Sequence, residues 1–201
     1  MLSTSYLWEI MNKVFGNNVS EKYKFIWVAP ERTGSRKVAE VLTYYGFQNN
    51  GTRVFEVGNY AFNHYYTPDE KYEDYKIVCN TRNPYSRVYS LFKNFYGKSL
   101  KKDKDSFKSF LVNNLVSGEM VKMVMNPILS KKPDYVIRLE HMSEDLLKLP
   151  FISDVLTEEQ VRMISSHGKE IEEWEQYYDL ESKNIVYSYC KDHFIFGGYE
   201  K

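Results

Sequence analysis

The chain has 201 residues, enough for one domain that buries roughly 70% of its unfolded surface. Lys plus Arg and Asp plus Glu stand at 27 each, so no global basic field exists and bulk nucleic-acid binding is not implied. Two cysteines are too few for a disulfide scaffold, and no apolar run approaches the roughly 18 residues of a membrane span.

Residues 5–15 read as a short amphipathic helix. Glu9 interrupts it and no basic stretch precedes it, so it does not read as a signal peptide. Tyr23 to Ala29 is a strand. Pro30-Glu-Arg-Thr-Gly-Ser35 is a tight loop, with Ser35 as the cap of the helix that follows. Val38, Val41, Leu42 and Tyr45 give that helix its apolar stripe, and Gly46 ends it. Arg32, Arg36 and Lys37 cluster at the helix start, where converging N–H groups and about half a positive charge from the dipole favour an anion. By itself the unit is equally an ordinary strand–helix turn with basic surface residues. It is neither a Walker A loop nor a dinucleotide fingerprint, because only Gly34 stands in the turn.

Thr52 to Val57 reads as a short second strand, and Gly58 to Pro68 as a polar-aromatic loop. His64 is the titratable base of that loop. It is either a structural hydrogen-bonder or a general base placed between two anion loops. The second anion loop lies in the run from Tyr75 to Ser90. Ile77, Val78 and Cys79 form a buried strand that Arg82, Asn83 and Pro84 break. Pro84 suits the first turn of a helix, and Val88, Leu91, Phe92 and Phe95 recur at helical spacing. Arg82 therefore sits at the carboxyl end of a strand, where ligands bind in open α/β sheets. Ser90 follows two helical turns later.

Gly97 to Asp105 is a charged loop, either a solvated turn or a lid that adds cations to a bound nucleotide. Asp105 or Ser106 caps the next helix, with Phe107, Phe110, Leu111 and Leu115 on one face and Gly118 at its end. Met120, Met123 and Val124 are core filler or the wall of an acceptor site. Asp134 to Glu140 is another strand, and His141 to Asp145 turns into a helix with Ser143 as a cap. Glu140 either reaches the same cleft, pairs with Arg138 or caps a helix. Thr157-Glu-Glu-Gln160 is a capping box opening a helix to Ser166. Residues 168–181 are charged and read as a surface excursion. Asp179 to Phe196 is the last helix, with Ile185, Val186, Tyr189 and Phe194 inward and Gly197-Gly198 as its stop. Cys79 and Cys190 read as buried apolar thiols, which suit a reducing compartment.

The two loops together resemble a known family. Arg82-Asn83-Pro84-x-x-Arg87-x-x-Ser90-x-Phe92 is similar to the 3′-phosphate-binding segment, R-[ND]-P-x-x-R-x-x-S-x-[YF], of sulfotransferases that use PAPS (3′-phosphoadenosine 5′-phosphosulfate). Pro30 to Ser35 resembles the family's 5′-phosphosulfate loop, P-K-x-G-[TS]-[TS], with one extra residue after Pro30, Arg32 where Lys is usual and Arg36 where a hydroxyl is usual. Tyr135 to Asp145 and the run from Tyr187 through Phe196-Gly-Gly-Tyr199 resemble later segments of the carbohydrate-type branch.

The resemblance implies an α/β, three-layer, P-loop-NTPase-like sulfotransferase fold with a central parallel β-sheet flanked by helices. It implies a single domain over 1–201, with a core at 24–145 and a helical part at 146–201. The implied reaction moves the sulfuryl group of PAPS to a hydroxyl of a carbohydrate or small alcohol in line, releasing PAP. Arg32, helped by the N–H groups of Gly34 and Ser35, would stabilise charge on the bridging oxygen. Thr33, Arg36 and Lys37 would complete the donor loop, Arg82 and Ser90 would hold the 3′-phosphate, and Arg87 would pack behind them. His64 is the expected base, with Glu140 and Glu56 in reserve. No metal is expected, because fixed cations neutralise the donor, and neither nucleic acid nor a membrane span is expected. A cytoplasmic enzyme of bacterial or viral source is expected rather than a Golgi resident. The alternatives are a non-catalytic nucleotide-binding protein and a P-loop phosphotransferase. The latter needs a Walker Lys and a Mg²⁺-holding Ser/Thr and Asp, which the Gly34 loop lacks.

Overall fold

The computed structural model describes residues 18–39, 41, 72–95, 103–116, 118, 132–154, 156–166 and 174–201. Its centre is a four-stranded sheet in the order β1-β2-β3-β4. The strands are β1 (Val19–Ser20), β2 (Phe25–Val28), β3 (Lys76–Thr81) and β4 (Tyr135–Arg138). All four residues of β2 are buried, as expected of a strand covered on both faces. β2, β3 and β4 run parallel, with Trp27 opposite Val78 and Asn80 opposite Ile137. β1 runs antiparallel to β2, so the sheet is mixed and the expected parallel sheet is corrected at this edge. The reason is local. Residues 21–24 join the two strands, with Lys24 in the left-handed region at φ 53°, and so short a link permits a hairpin but no crossover.

Helices flank this sheet: α1 (Ser35–Ala39), α2 (Pro84–Phe95), α3 (Lys104–Phe110), α4 (Met142–Leu146), α5 (Glu158–Ser166) and α6 (Leu180–Gly197). On one face Phe25, Trp27, Val78 and Ile137 pack against Val38, Met142, Leu146 and Val161. On the other, Ile26, Val28, Ile77 and Cys79 meet Tyr72, Tyr75 and the half-buried Phe196. A third cluster joins α2, α3 and α6 and is largely aromatic. Phe107 and Tyr178 stand edge to face at 4.9 Å, as do Tyr85 and Phe194 at 5.1 Å.

Sequence signals for helix ends hold where the chemistry is local. Thr157 and Gln160 form the capping box reciprocally, at 2.9 and 3.2 Å. Asp179 caps α6 by accepting from Ser182 N, and Gly198 ends it in the left-handed region. Four expectations are corrected. Asp103, not Asp105 or Ser106, caps α3, which starts one residue later and turns Phe107 inward; α3 then widens into a π-helical stretch, Leu111–Val116. Ser35 is the first residue of α1, not its cap, because the Gly34 carbonyl accepts from Lys37 and Val38. Ser143 lies inside α4 and shares a 2.6 Å hydrogen bond with Ser165 of α5. Finally, residues 174–181 are no simple excursion: Tyr178 is buried, donates to Tyr85 O at 2.8 Å, and Trp174 stacks on Tyr85. The expected helix at 5–15, strand at 52–57, loop at 58–68, lid segment 97–102 and methionine run at 120–129 lie outside the described residues.

Candidate functional site

The loops after Pro30 and Thr81 leave the carboxyl ends of neighbouring parallel strands, β2 and β3. The first loop turns sharply after Pro30. Arg32 has φ 63° and Gly34 φ 77°, so two left-handed residues lie within three positions. Thr33 is fully buried and its hydroxyl donates to Pro30 O at 2.6 Å, closing the turn on itself. Gly34 is required twice over. Its φ favours glycine, and a Cβ there would stand 2.6 Å from Leu139 Cδ1 and 2.8 Å from Met142 Cε. Ser35 is buried, Lys37 half-buried, and Arg32 and Arg36 exposed.

The second loop is stabilised by its own residues. Asn83 Oδ1 accepts from Tyr85 N at 3.0 Å and Ser86 N at 3.3 Å, Pro84 opens the helix, and Arg87 N donates to Asn83 O. Arg82 is half-buried, and its Nε donates to Ser86 Oγ at 2.9 Å.

The loops meet across 58 residues of sequence. Arg32 Nε donates to Ser90 Oγ at 3.1 Å. Arg87, also on α2, donates from Nε to Glu31 O at 2.9 Å. So Arg32 meets Ser90, two turns into α2, while Arg82 at the end of β3 rests on Ser86. At the end of β3, Asn80 Nδ2 and Thr81 Oγ1 are buried with no hydrogen-bond partner among the described residues, although Asn80 Oδ1 accepts from Trp27 Nε1 at 2.8 Å.

Glu140 sits in the short turn Leu139–His141 after β4. One oxygen accepts from Asn83 N at 2.8 Å and the other from Tyr199 OH at 2.7 Å. It does not pair with Arg138, which makes a two-pronged contact with Asp145 at 2.8 Å on both arms. Among its sequence-derived readings the capping role matches these contacts: Glu140 ties the second loop to the end of α6. Burial and the Glu140 charge push the Tyr199 hydroxyl far above the usual phenol range, so it stays a donor. Gly197 makes room for this clasp, since a Cβ there would stand 2.4 Å from the Tyr199 ring. His64 and Glu56 lie outside the described residues.

Among the described residues Arg87 is the largest buried cation, 0% exposed, and burial lowers its pKa to about 10 against the raising influence of Cys190, Cys79 and Glu31. It remains charged at neutral pH. Burial raises both thiols to about 12, with Arg87 opposing weakly, so Cys79 and Cys190 are inert packing groups. Asp145, 2% exposed at its side chain, is pushed up by burial, but hydrogen bonds from Arg138 and Lys148 outweigh this and hold it below the usual carboxylate range. Sequence reasoning missed the roles of His193 and Tyr199. The signal for one was a polar residue on the inward face of α6; for the other, a phenol just past a Gly-Gly stop.

Two surface cavities, of about 710 and 390 Å³, are lined by neither Arg32, Arg82 nor Ser90. Among the described residues no group of His, Cys, Asp and Glu could hold a metal ion, and no helix is long and apolar enough to cross a membrane. Comparison with protein-family models, curated proteins and solved structures finds no match.

Proposed function

We propose that the chain is a sulfotransferase that moves the sulfuryl group of PAPS to a hydroxyl, of a carbohydrate or small alcohol. The observation that carries this reading is the 3.1 Å bond from Arg32 to Ser90, which links the first loop to the helix that opens at the second. Arg82 and Ser90 suit a ribose 3′-phosphate, and Arg32 suits the 5′-phosphosulfate.

In this reading the acceptor oxygen attacks sulfur in line. A new O–S bond forms as the bond from sulfur to the 5′-phosphate oxygen breaks, and the electron pair stays on that oxygen. Arg32 meets the developing charge. Its guanidinium clamps two oxygens and does not lose its proton, which a Lys in the same place can do. The acceptor's proton passes to a base, for which His64 is the candidate. Glu140 is a weaker one, because both of its oxygens are engaged in holding the second loop.

A thermal-shift titration tests the donor class. PAP raises the Tm of a sulfotransferase well beyond ATP with Mg²⁺. The opposite ranking favours a phosphotransferase and rejects the proposal. A screen of hydroxyl acceptors with labelled PAPS then identifies the second substrate. In that assay His64→Ala retains PAP binding and loses about 10²–10⁴-fold in transfer rate; unchanged turnover removes His64 from the base role.

A further inference from the structure

Helix α2 grips the first loop at two points one turn apart. Arg87 and Ser90 are three residues apart and share a helix face. Ser90 receives the Arg32 side chain at 3.1 Å, and Arg87 Nε holds the carbonyl of Glu31 at 2.9 Å. That carbonyl belongs to the peptide joining residues 31 and 32. Its orientation therefore sets ψ of Glu31 and φ of Arg32 together, and Arg32 sits at φ 63°, where a non-glycine residue is strained. Such a conformation persists only where its surroundings dictate it.

Arg87 is itself backed from α6. Its Nη1 lies 3.4 Å from His193 Nε2. A guanidinium has only N–H groups, so that imidazole nitrogen accepts. Both residues are buried, at 0% and 1% exposure, so neither reaches a ligand on the surface of the loops. The route runs from His193 through Arg87 to the 31–32 peptide, and from there to the exposed Arg32 head.

We propose that Arg87 is a positioning residue for the first loop: by fixing the 31–32 peptide it aims Arg32 at the 5′-phosphate end of the nucleotide. This rests on the nucleotide reading above. Arg87 thus acts on the end of the ligand opposite to the one its own motif is expected to bind.

Two ligands separate the ends. PAP carries both phosphates, whereas 3′-AMP carries only the 3′-phosphate. Dissociation constants for both are measured on the full chain by ligand-observed NMR, with near-UV circular dichroism to check the fold. Arg87→Gln weakens PAP about tenfold and leaves 3′-AMP within about twofold, the loss of one loop's anion contact. Arg87→Lys, which keeps the charge and a donor, recovers part of the PAP affinity. If Arg87→Gln does not fold, His193→Leu decides, with the same selective loss at smaller size. Equal loss for both ligands, or no loss in a folded variant, overturns the proposal. Wild-type protein binding PAP no better than 3′-AMP also overturns it while leaving the 3′-phosphate assignment intact. Wild-type protein binding neither ligand rejects the sulfotransferase reading itself.

Discussion

The two loops do similar jobs by opposite means. The second is self-supporting: Asn83 caps the helix that Pro84 opens, and Arg82 rests on Ser86 one turn along. The first is held largely from outside. Its left-handed Arg32 and Gly34 are fixed by Arg87, Ser90, Leu139 and Met142, which lie far along the chain. A self-supporting loop tolerates loss of distant contacts, whereas one held from outside inherits every change in the elements around it.

Substitutions sharpen this contrast. Gly34→Ala has the largest expected effect. The left-handed φ and the 2.6 Å clash with Leu139 together destabilise the fold by about 2–4 kcal/mol. Chemical denaturation measures it, and a loss below about 0.5 kcal/mol shows that the loop relaxes freely. Arg82→Ala comes next, weakening PAP by about 1.5–3 kcal/mol in calorimetry while leaving the Tm nearly unchanged. A large drop in Tm instead makes Arg82 part of the scaffold. Asn83→Ala removes the local cap at about 1 kcal/mol of stability, and Asn83→Asp restores it. An Asn83 loss as large as that of Gly34→Ala erases the distinction between the loops.

Acid is the gentlest probe. Asp145 anchors the end of β4, next to the turn that packs on Gly34. Its folded pKa lies below the unfolded value, so its contribution is complete above about pH 4 and is lost as pH falls through the folded pKa. Melting temperatures read from pH 7 to pH 3 are therefore flat for this group before they fall. Asp145→Asn flattens the acid limb, and an unchanged acid limb in that variant contradicts the assignment.

Legibility follows the same divide. Strand β3, helix α2 and the Arg82–Ser90 spacing were readable because their determinants lie within one short run. The capping box at Thr157 and the Gly198 stop were readable for the same reason. The antiparallel β1 was missed because a two-residue strand leaves no alternating pattern. Tyr178 was misread because its charged neighbours hide an aromatic pair whose partners come from α2 and α3. In the site, residue types announced Arg32 and Ser90 but not their contact, and Glu140 was recognised as a carboxylate without its partners. Those pairings span 57 to 59 positions, beyond the reach of periodicity or local chemistry.

The Asn83–Glu140–Tyr199 clasp also sets a schedule. Each link joins elements far apart in synthesis, and chain segments emerge from the ribosome at about 5–20 residues per second. The second loop can cap itself as soon as Ser86 has emerged and can tie to Glu140 once that residue follows, but the clasp closes only with Tyr199. Until then the cationic turn stands beside a nascent sheet with one anchor missing. Closure of the clasp thus waits for α6, and pausing translation between Glu140 and Tyr199 leaves the second loop tied to Glu140 without its far anchor.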